Sequence, residues 1–176
     1  SGSTLESAST LAMRSESAEI IRALALGVAG SGTAAVQVTA LGNAISNRVT
    51  SLISDSTITT AGDIELVAED LAPSLLTGWN LGSQQHEDDV TAALAGSPID
   101  PAANILAINI SVAASGSVAV NGVVTGNVIA NTVTASIEAE SAVSASQAVT
   151  LSATDASSIS SIGLGLAASG GAALSG

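Results

Sequence analysis

The residues best suited to chemistry are clustered near the middle of the chain. His86, Glu87, Asp88 and Asp89 are consecutive, and Asp100 follows a few positions later. Calcium takes about six to eight oxygen ligands, often from the carboxylates and carbonyls of a flexible loop. The acidic run is therefore a candidate calcium site or a patch for contact with a partner. Its spacing matches no EF-hand loop and no glycine–aspartate nonapeptide repeat, so the competing interpretation is a solvated loop tip.

The chain has one tryptophan and one histidine, and both lie in this region. An exposed Trp79 would suit stacking on a sugar or anchoring a partner. The alternative is that it fills the gap where a loop leaves a sheet. His86 has no cysteine or second histidine with which to form a zinc site, and no serine stands in a nucleophile elbow. No catalytic residue is predicted, and the chain is not expected to be an enzyme.

The composition limits the class of partner. Fifteen acidic residues face three basic ones, so the net charge of −12 excludes the basic patch that nucleic acids and anionic membranes require. No apolar run reaches the roughly 18 residues of a membrane-spanning helix, so membrane insertion is not expected. Hydrophobic residues make up 47% of the chain but aromatic residues only 1%. The core must therefore consist of small and branched aliphatic side chains in thin layers.

The elements that position these residues are organised as repeats. A shift of 84 positions superposes Ser31 on Ser115 and Val49 on Val133; after one inserted residue the shift becomes 85, and a partial third copy follows at 138. Asparagines and an aspartate recur in the same register, namely Asn43 with Asn127, Asn47 with Asn131, and Asp70 with Asp155. We interpret these six residues as structural, because asparagines at corners can form ladders along a solenoid.

The matches predict a single solenoid fragment with copies at about 11–63, 64–148 and 149–176, of which the last is partial. The step from Ser17 to Leu24 is 7 positions, whereas the equivalent step from Asp70 to Ile108 is 38, so the second copy carries 31 extra residues near 76–104. All three prolines lie between Asp70 and Ile108. Because proline cannot donate to a strand ladder, we predict a loop that leaves the sheet.

Within a copy, large apolar residues alternate with small or polar ones, which is typical of strands with one buried face. Together with the turn residues and the fixed period, this alternation predicts an all-β parallel β-helix. A repeat of 53 or 54 residues would divide into two wide or three narrow coils. Residues 16–25 have helix-forming composition, but the repeat alignment overrides that preference. The pattern places the larger side chains inward, including Leu24, Leu26, Val28, Ile108, Ile110 and Val112.

The repeated phrase at 43–53, continued by STITTAGDIELVAED at 56–70, resembles repeats of large two-partner-secreted bacterial exoproteins. These are the filamentous-haemagglutinin-like and leukotoxin-type filamentous adhesins, and a second copy of the phrase spans 127–155. The resemblance covers most of the chain apart from the insertion. It implies export through an outer-membrane partner, a location outside the bacterium or on its outer surface, and a right-handed β-helical shaft.

We therefore expect a structural and adhesive shaft segment of a giant adhesin. Its partners would be adjacent repeats of the parent protein and a receptor or glycan on a host or neighbouring cell. The alternative is a specific glycan- or protein-binding module that uses the loop at 76–104, with calcium as the one cofactor considered. A β-helical carbohydrate-active enzyme ranks last, since such enzymes align carboxylates in a groove and the acids outside the insertion are scattered.

Overall fold

The computed structural model describes residues 2–73, 83–94 and 102–176. Within these ranges the protein is all-β apart from one helix, α1 (Gln84–Leu94). The strands are β1 (Ser3–Ser7), β2 (Leu11–Ser17), β3 (Ile21–Ser31), β4 (Ala34–Ile45), β5 (Arg48–Ser54), β6 (Ser56–Thr60), β7 (Ile64–Asp70), β8 (Ile105–Ser115), β9 (Val118–Ile129), β10 (Thr132–Glu138), β11 (Ala142–Ala145), β12 (Val149–Asp155), β13 (Ile159–Ser169) and β14 (Ala172–Ser175).

Each strand from β6 onward pairs with the strand five places earlier in the chain. Thus β7 pairs in parallel with β2, β8 with β3, and β10 with β5. One turn of the solenoid, here called a coil, therefore takes five strands, and the partners Leu11 and Ile64 are 53 residues apart. The prediction of an all-β parallel β-helix is confirmed, while its handedness stays a prediction.

The expectation of two or three coils per repeat is wrong, because each repeat forms a single coil. One coil accommodates a whole repeat because some of its strands are long, up to 12 residues in β4 and β9. The residues that the repeat alignment matches are partners across adjacent strands: Ser31 pairs with Ser115, Val49 with Val133, and Val149 with Ile64. Residues 16–25, whose composition suits a helix, end β2 and begin β3 instead.

The described chain divides into two compact units. Unit 1 comprises Ser1–Glu19, Ile45–Ala72 and Ala130–Ser157, and its sheets have the orders β1-β6-β11, β10-β5 and β12-β7-β2. Its core is apolar, and Ile64 and Leu66 have no exposed surface. On its exterior Arg14 forms ion pairs with Glu16 and Glu69, whereas Asp70 is buried. Unit 1 therefore has the usual arrangement of apolar interior and polar surface.

Unit 2 comprises Ile20–Ala44, Pro73–Ile129 and Ser158–Gly176, and its two sheets have the orders β13-β8-β3 and β14-β9-β4. Its interior is made of small and polar side chains, including Ala107, Asn109, Ser111 and Ala119, all fully buried. Ile105 is the one large aliphatic side chain with no exposed surface among the described residues of unit 2, and most of the others point outward. The prediction that Leu24, Leu26, Val28, Ile108, Ile110 and Val112 point inward is therefore wrong: the first three are 64%, 66% and 81% exposed, and the other three are partly exposed.

The two sheets of unit 2 lie close together, which accounts for this inversion. Two residues separate β3 from β4, β8 from β9, and β13 from β14. Sheets this close leave room mainly for small side chains between them. Asn109 Nδ2 reaches across to the carbonyl oxygens of Thr39 and Val124, at 3.2 and 3.1 Å. Asn121 Nδ2 reaches the other way, to Ser111 O at 2.6 Å and Leu166 O at 2.8 Å.

The insertion joins β7 to β8 and contains α1. The predicted excursion from the sheet therefore contains one helical segment, residues 84–94, which the sequence did not indicate. The Ser83 hydroxyl begins the helix by accepting a hydrogen bond from the His86 N–H at 3.3 Å, as N-cap serines do. Proline fits neither a strand interior nor a helix interior, and Pro73 follows the end of β7 outside any strand or helix.

Candidate functional site

The predicted acidic site falls on α1, where the described side chains are exposed. Asp88 accepts a hydrogen bond from Gln84 Nε2 at 3.2 Å, and Asp89 accepts one from Gln85 Nε2 at 3.1 Å. Each pair is four residues apart, which is the spacing that brings helical side chains together. Asp88 and Asp89 are adjacent in sequence and do not share a helix face.

The structure does not gather these acids around a common point. Among the described residues, no group of three or more His, Asp or Glu side chains could hold a metal ion. The Glu87 side chain, Trp79 and Asp100 lie outside the described part of the chain. The calcium and partner-contact interpretations of this region therefore stay predictions, and His86 is placed only as an exposed side chain at the start of the helix.

The repeated asparagines make hydrogen bonds between coils. Asn43 Nδ2 donates to Asn127 Oδ1 at 2.8 Å, and the Asn47 backbone N–H donates to Asn131 Oδ1 at 3.0 Å. Asn47 and Asn131 lie in the turns after β4 and β9, whereas Asn43 and Asn127 lie within those strands rather than at corners. These bonds connect positions 84 residues apart. They join repeats to one another, which is a structural role.

A buried acid lies at the end of β7. Asp70 is 1% exposed, and its Oδ2 accepts hydrogen bonds from Asn131 Nδ2 and, at 3.2 Å, from the Ser157 hydroxyl. Burial raises the pKa of the Asp70 carboxyl above its ordinary value, and the carboxylates of Asp155 and Glu19 raise it further. The two hydrogen bonds oppose this rise because they favour the charged form.

Asp155 is the partner of Asp70 in the next coil, so the repeat stacks two carboxyl groups. Asp155 in turn accepts a hydrogen bond from the Ser157 backbone N–H, and the single proton of the Ser157 hydroxyl is shared between Asp155 and Asp70. Asp70, Asn131 and Ser157 are thus one connected network, with the side chain of Asn131 also donating to Ser157 at 2.9 Å. This network fixes a corner of unit 1, and its chemistry is that of a titratable structural contact.

The feature that sequence reasoning missed is an apolar surface on unit 2. The outward residues of β3, β8 and β13 align in three rows, which we call the aliphatic grid: Leu24 with Ile108 and Ile162, Leu26 with Ile110 and Leu164, and Val28 with Val112 and Leu166. A sequence signal for it exists. Residues 20–44, 102–129 and 158–176 contain no Asp, Glu or Lys and a single Arg, although the chain has 15 acids. Strands whose polar residues are uncharged offer no charged face to solvent.

Comparison with known proteins adds no relative: no family model, curated protein or solved structure matches the chain. Within the described residues, the one helix is too short and too polar to cross a bilayer.

Proposed function

We propose that the chain is a structural segment of the shaft of an exported bacterial adhesin. The observation that supports this proposal is the in-register stacking of whole repeats. Strands β2, β7 and β12 align residue by residue, with Leu11, Ile64 and Val149 in one column and Ser17, Asp70 and Asp155 in another. A chain built in this way can be extended by adding coils, and extension is the mechanical requirement of a shaft.

The energetic basis of such a shaft is nearest-neighbour contact. In the middle coil Ile64, Leu66 and Ala68 are completely buried between the flanking coils. No coil could bury these side chains alone, so stability grows with each coil that is added. Backbone hydrogen bonds between parallel strands and the asparagine bonds supply the register. A segment of this kind transmits force between the ends of a long protein without needing a catalytic residue.

Export and location belong to the same proposal. They rest on the resemblance of the repeated phrase at 43–53 and 56–70 to repeats of two-partner-secreted exoproteins. The proposed partners are adjacent repeats of the parent protein and a receptor or glycan on a neighbouring or host cell. The absence of cysteine and the net charge of −12 are compatible with a chain that crosses the cell envelope unfolded and stays soluble outside it.

A second candidate function is specific binding by the insertion. It is favoured by α1, whose described side chains are exposed and include those of His86, Asp88 and Asp89. Side chains carried by a connecting segment on a rigid scaffold commonly bind ligands. In this proposal the coils hold the helix in place, and the helix contacts a glycan or a protein, with calcium as a condition to be varied.

One experiment separates the two functions. The labelled chain and a variant that lacks residues 77–103 are tested for binding to bacterial and epithelial cells and to a glycan array, in calcium and in chelator. A shaft segment with adhesive coils predicts that the deletion variant folds and binds as the intact chain does. Loss of binding in a folded deletion variant would contradict the shaft proposal and support the insertion. Asp88→Asn with Asp89→Asn then tests the acids, with Gln84→Ala as the matched control on the same helix.

Absence of binding by either protein would contradict the adhesive part of the proposal. Thermal unfolding followed by circular dichroism provides the structural readout in the same samples. The shaft proposal requires the deletion variant to retain the parallel β-sheet spectrum and a cooperative transition, because the described part of the insertion, residues 83–94, contributes no strand.

A further inference from the structure

We propose that the aliphatic grid of unit 2 is a self-association surface, and that its occupant is the aliphatic grid of a second copy of this chain. This inference goes beyond the shaft proposal and does not depend on it. It concerns only the outward face of the sheet formed by β3, β8 and β13. Leu26 lies in the middle row on β3, next to Ile110, and Leu164 lies on the far side of Ile110.

The aliphatic grid is a large and regular apolar surface. Strands in a sheet are about 4.8 Å apart and alternate residues about 6.6 Å apart, so the nine side chains form a flat and even array. Burying an aliphatic side chain removes about 60–120 Å² of apolar surface from water, which puts the exposed part of the grid at roughly 300–400 Å². Single large apolar patches of this size on soluble proteins commonly mark interaction sites.

The second argument is charge. A second copy also carries a net charge of −12, so most approaches between two chains are repulsive. Every acid in the chain lies either in unit 1 or in the insertion, and none lies on the strands of unit 2. The strands that form the grid therefore bring no carboxylate of their own to the contact between two copies. Arg22, beside the first row, uses its guanidinium to donate to Ala103 O at 2.7 Å.

The third argument is shape. Two sheet faces pack well when side chains of one face interdigitate with those of the other, at a sheet separation of about 10 Å. Leucine, isoleucine and valine in even rows suit this packing, and a twofold axis would bring the same patch of both copies together. A bilayer is a poorer fit, because the grid lacks the tryptophan and tyrosine residues that anchor proteins at the membrane interface.

The area that two grids would bury determines how tightly the dimer is expected to associate. Two grids would bury roughly 600–800 Å² in total, which is below the roughly 1,200 Å² of stable complexes. The dimer should therefore be weak and concentration-dependent. Salt should strengthen it, since salt screens the repulsion between the acidic chains and leaves the apolar contact intact.

Sedimentation velocity over a concentration series tests the proposal. The chain should pass from a 16.8 kDa monomer to a species of twice that mass, with a dissociation constant in the micromolar range that falls as salt is added. Leu26→Lys should raise that constant at least about tenfold, because it places a charge in the middle row of the contact, where the second copy would desolvate it. Lysine lowers the net negative charge, so any loss of association cannot be caused by added repulsion.

The matched control is Leu52→Lys, which makes the same change at an exposed leucine of unit 1. It should leave the dimer unchanged. If Leu26→Lys fails to give the parallel β-sheet spectrum, Leu26→Ser replaces it. A chain that stays monomeric at every concentration would overturn the proposal, as would equal dimerisation of the Leu26 and Leu52 variants. Flotation of the chain with phosphatidylcholine vesicles, abolished by Leu26→Lys, would also overturn it by making a lipid surface the occupant.

Discussion

The side-chain amide of Asn43 donates a hydrogen bond to Oδ1 of Asn127 across 2.8 Å, although the two residues are 84 positions apart. The bond runs from one coil to the next inside unit 2 and has a direction, because one residue donates and the other accepts. Its partners are half-buried, so an unpaired group there cannot be fully compensated by water. The direction of the bond makes the ladder testable with two conservative substitutions.

We predict that Asn43→Asp and Asn127→Asp have unequal effects. Asp at 43 would place a carboxylate against the Asn127 carbonyl oxygen and should lower the free energy of unfolding by about 1–3 kcal/mol. Asp at 127 keeps an acceptor for the side-chain amide of Asn43, so the free energy of unfolding should fall by clearly less. Both variants add the same charge, so each controls for the other. Urea unfolding measures the difference, and equal losses would contradict the assigned direction.

The glycines that follow β3, β8 and β13 are predicted to differ in their tolerance of a side chain. A Cβ at Gly116 would overlap the carbonyl oxygen of Gly32 in the preceding coil, and one at Gly170 would lie 2.6 Å from Gly116 O. A Cβ at Gly32 would meet no atom within 4 Å. Gly116→Ala should therefore destabilise the chain by about 1–3 kcal/mol, since the obstacle is backbone. Gly32→Ala is the control and should be nearly neutral in the same thermal unfolding assay.

The turn after β5 and the turn after β10 each contain a residue with positive φ. These residues are Asp55, with φ of 48°, and Ala139, with φ of 53°. Alanine is strained in this region because its Cβ approaches the following carbonyl oxygen, whereas aspartate tolerates it better. Ala139→Gly should raise the free energy of unfolding by roughly 0.5–1 kcal/mol. Asp55→Gly should raise the free energy of unfolding by less. A loss of stability in Ala139→Gly would show that Ala139 does not have the left-handed backbone conformation.

The buried carboxyl of Asp70 predicts a pH dependence with a definite sign. Its pKa in the folded chain is raised, chiefly by burial, so the folded state holds this proton more tightly than the unfolded state does. The contribution of Asp70 to stability is therefore fully present below the unfolded pKa and is lost as the pH rises through the folded pKa. Acidification from neutral pH should thus stabilise unit 1 through this group.

Asp70→Asn removes the titration but keeps an oxygen that Asn131 and Ser157 can donate to. This variant should be more stable than the parent at neutral pH, and the difference should shrink as the pH falls. Asp70→Ala removes the acceptor that Asn131 and Ser157 share, leaving the Asn131 amide only its bond to Ser157, and should lose about 1–3 kcal/mol at neutral pH. Thermal unfolding measured from neutral pH to mildly acidic pH checks both variants. If the stability advantage of Asp70→Asn over the parent grew as the pH fell, the raised pKa assigned to Asp70 would be contradicted.

Sequence reasoning predicted the strands and their register well, because both follow from local information. The repeat alignment that matched Val49 with Val133 also identifies the partners in β5 and β10. The alternation of Leu24, Leu26 and Val28 with small residues likewise predicts a strand. Alternation defines two faces but does not say which one is inside. In unit 2 the small face is inside, where the side-chain amides of Asn109 and Asn121 span the narrow space between the sheets.

The coil size and the insertion were harder to predict for physical reasons. A period of 53 residues fixes the length of chain per repeat but not the number of corners, which depends on how far each strand runs before it turns. The helix α1 has a weak apolar face and no counterpart in the other repeats, so neither periodicity nor alignment identified it. The Asp70 network joins residues from β7, β12 and the turn before β10, which no local pattern brings together.

The central claim, that one repeat makes one coil, can be tested most directly by thiol cross-linking, because the chain has no cysteine of its own. Thr50 and Thr134 are partners in adjacent strands, and the distance between such partners, about 4.8 Å, lies within the range of Cα separations of disulfides. We predict rapid intramolecular cross-linking by a short thiol reagent in the double variant Thr50→Cys with Thr134→Cys. Cross-linking should be slow in the control, Thr50→Cys with Glu138→Cys, because the strand partner of Glu138 is Ser54, four residues beyond Thr50. Equal cross-linking of the two pairs, or none in the first, would contradict the claim.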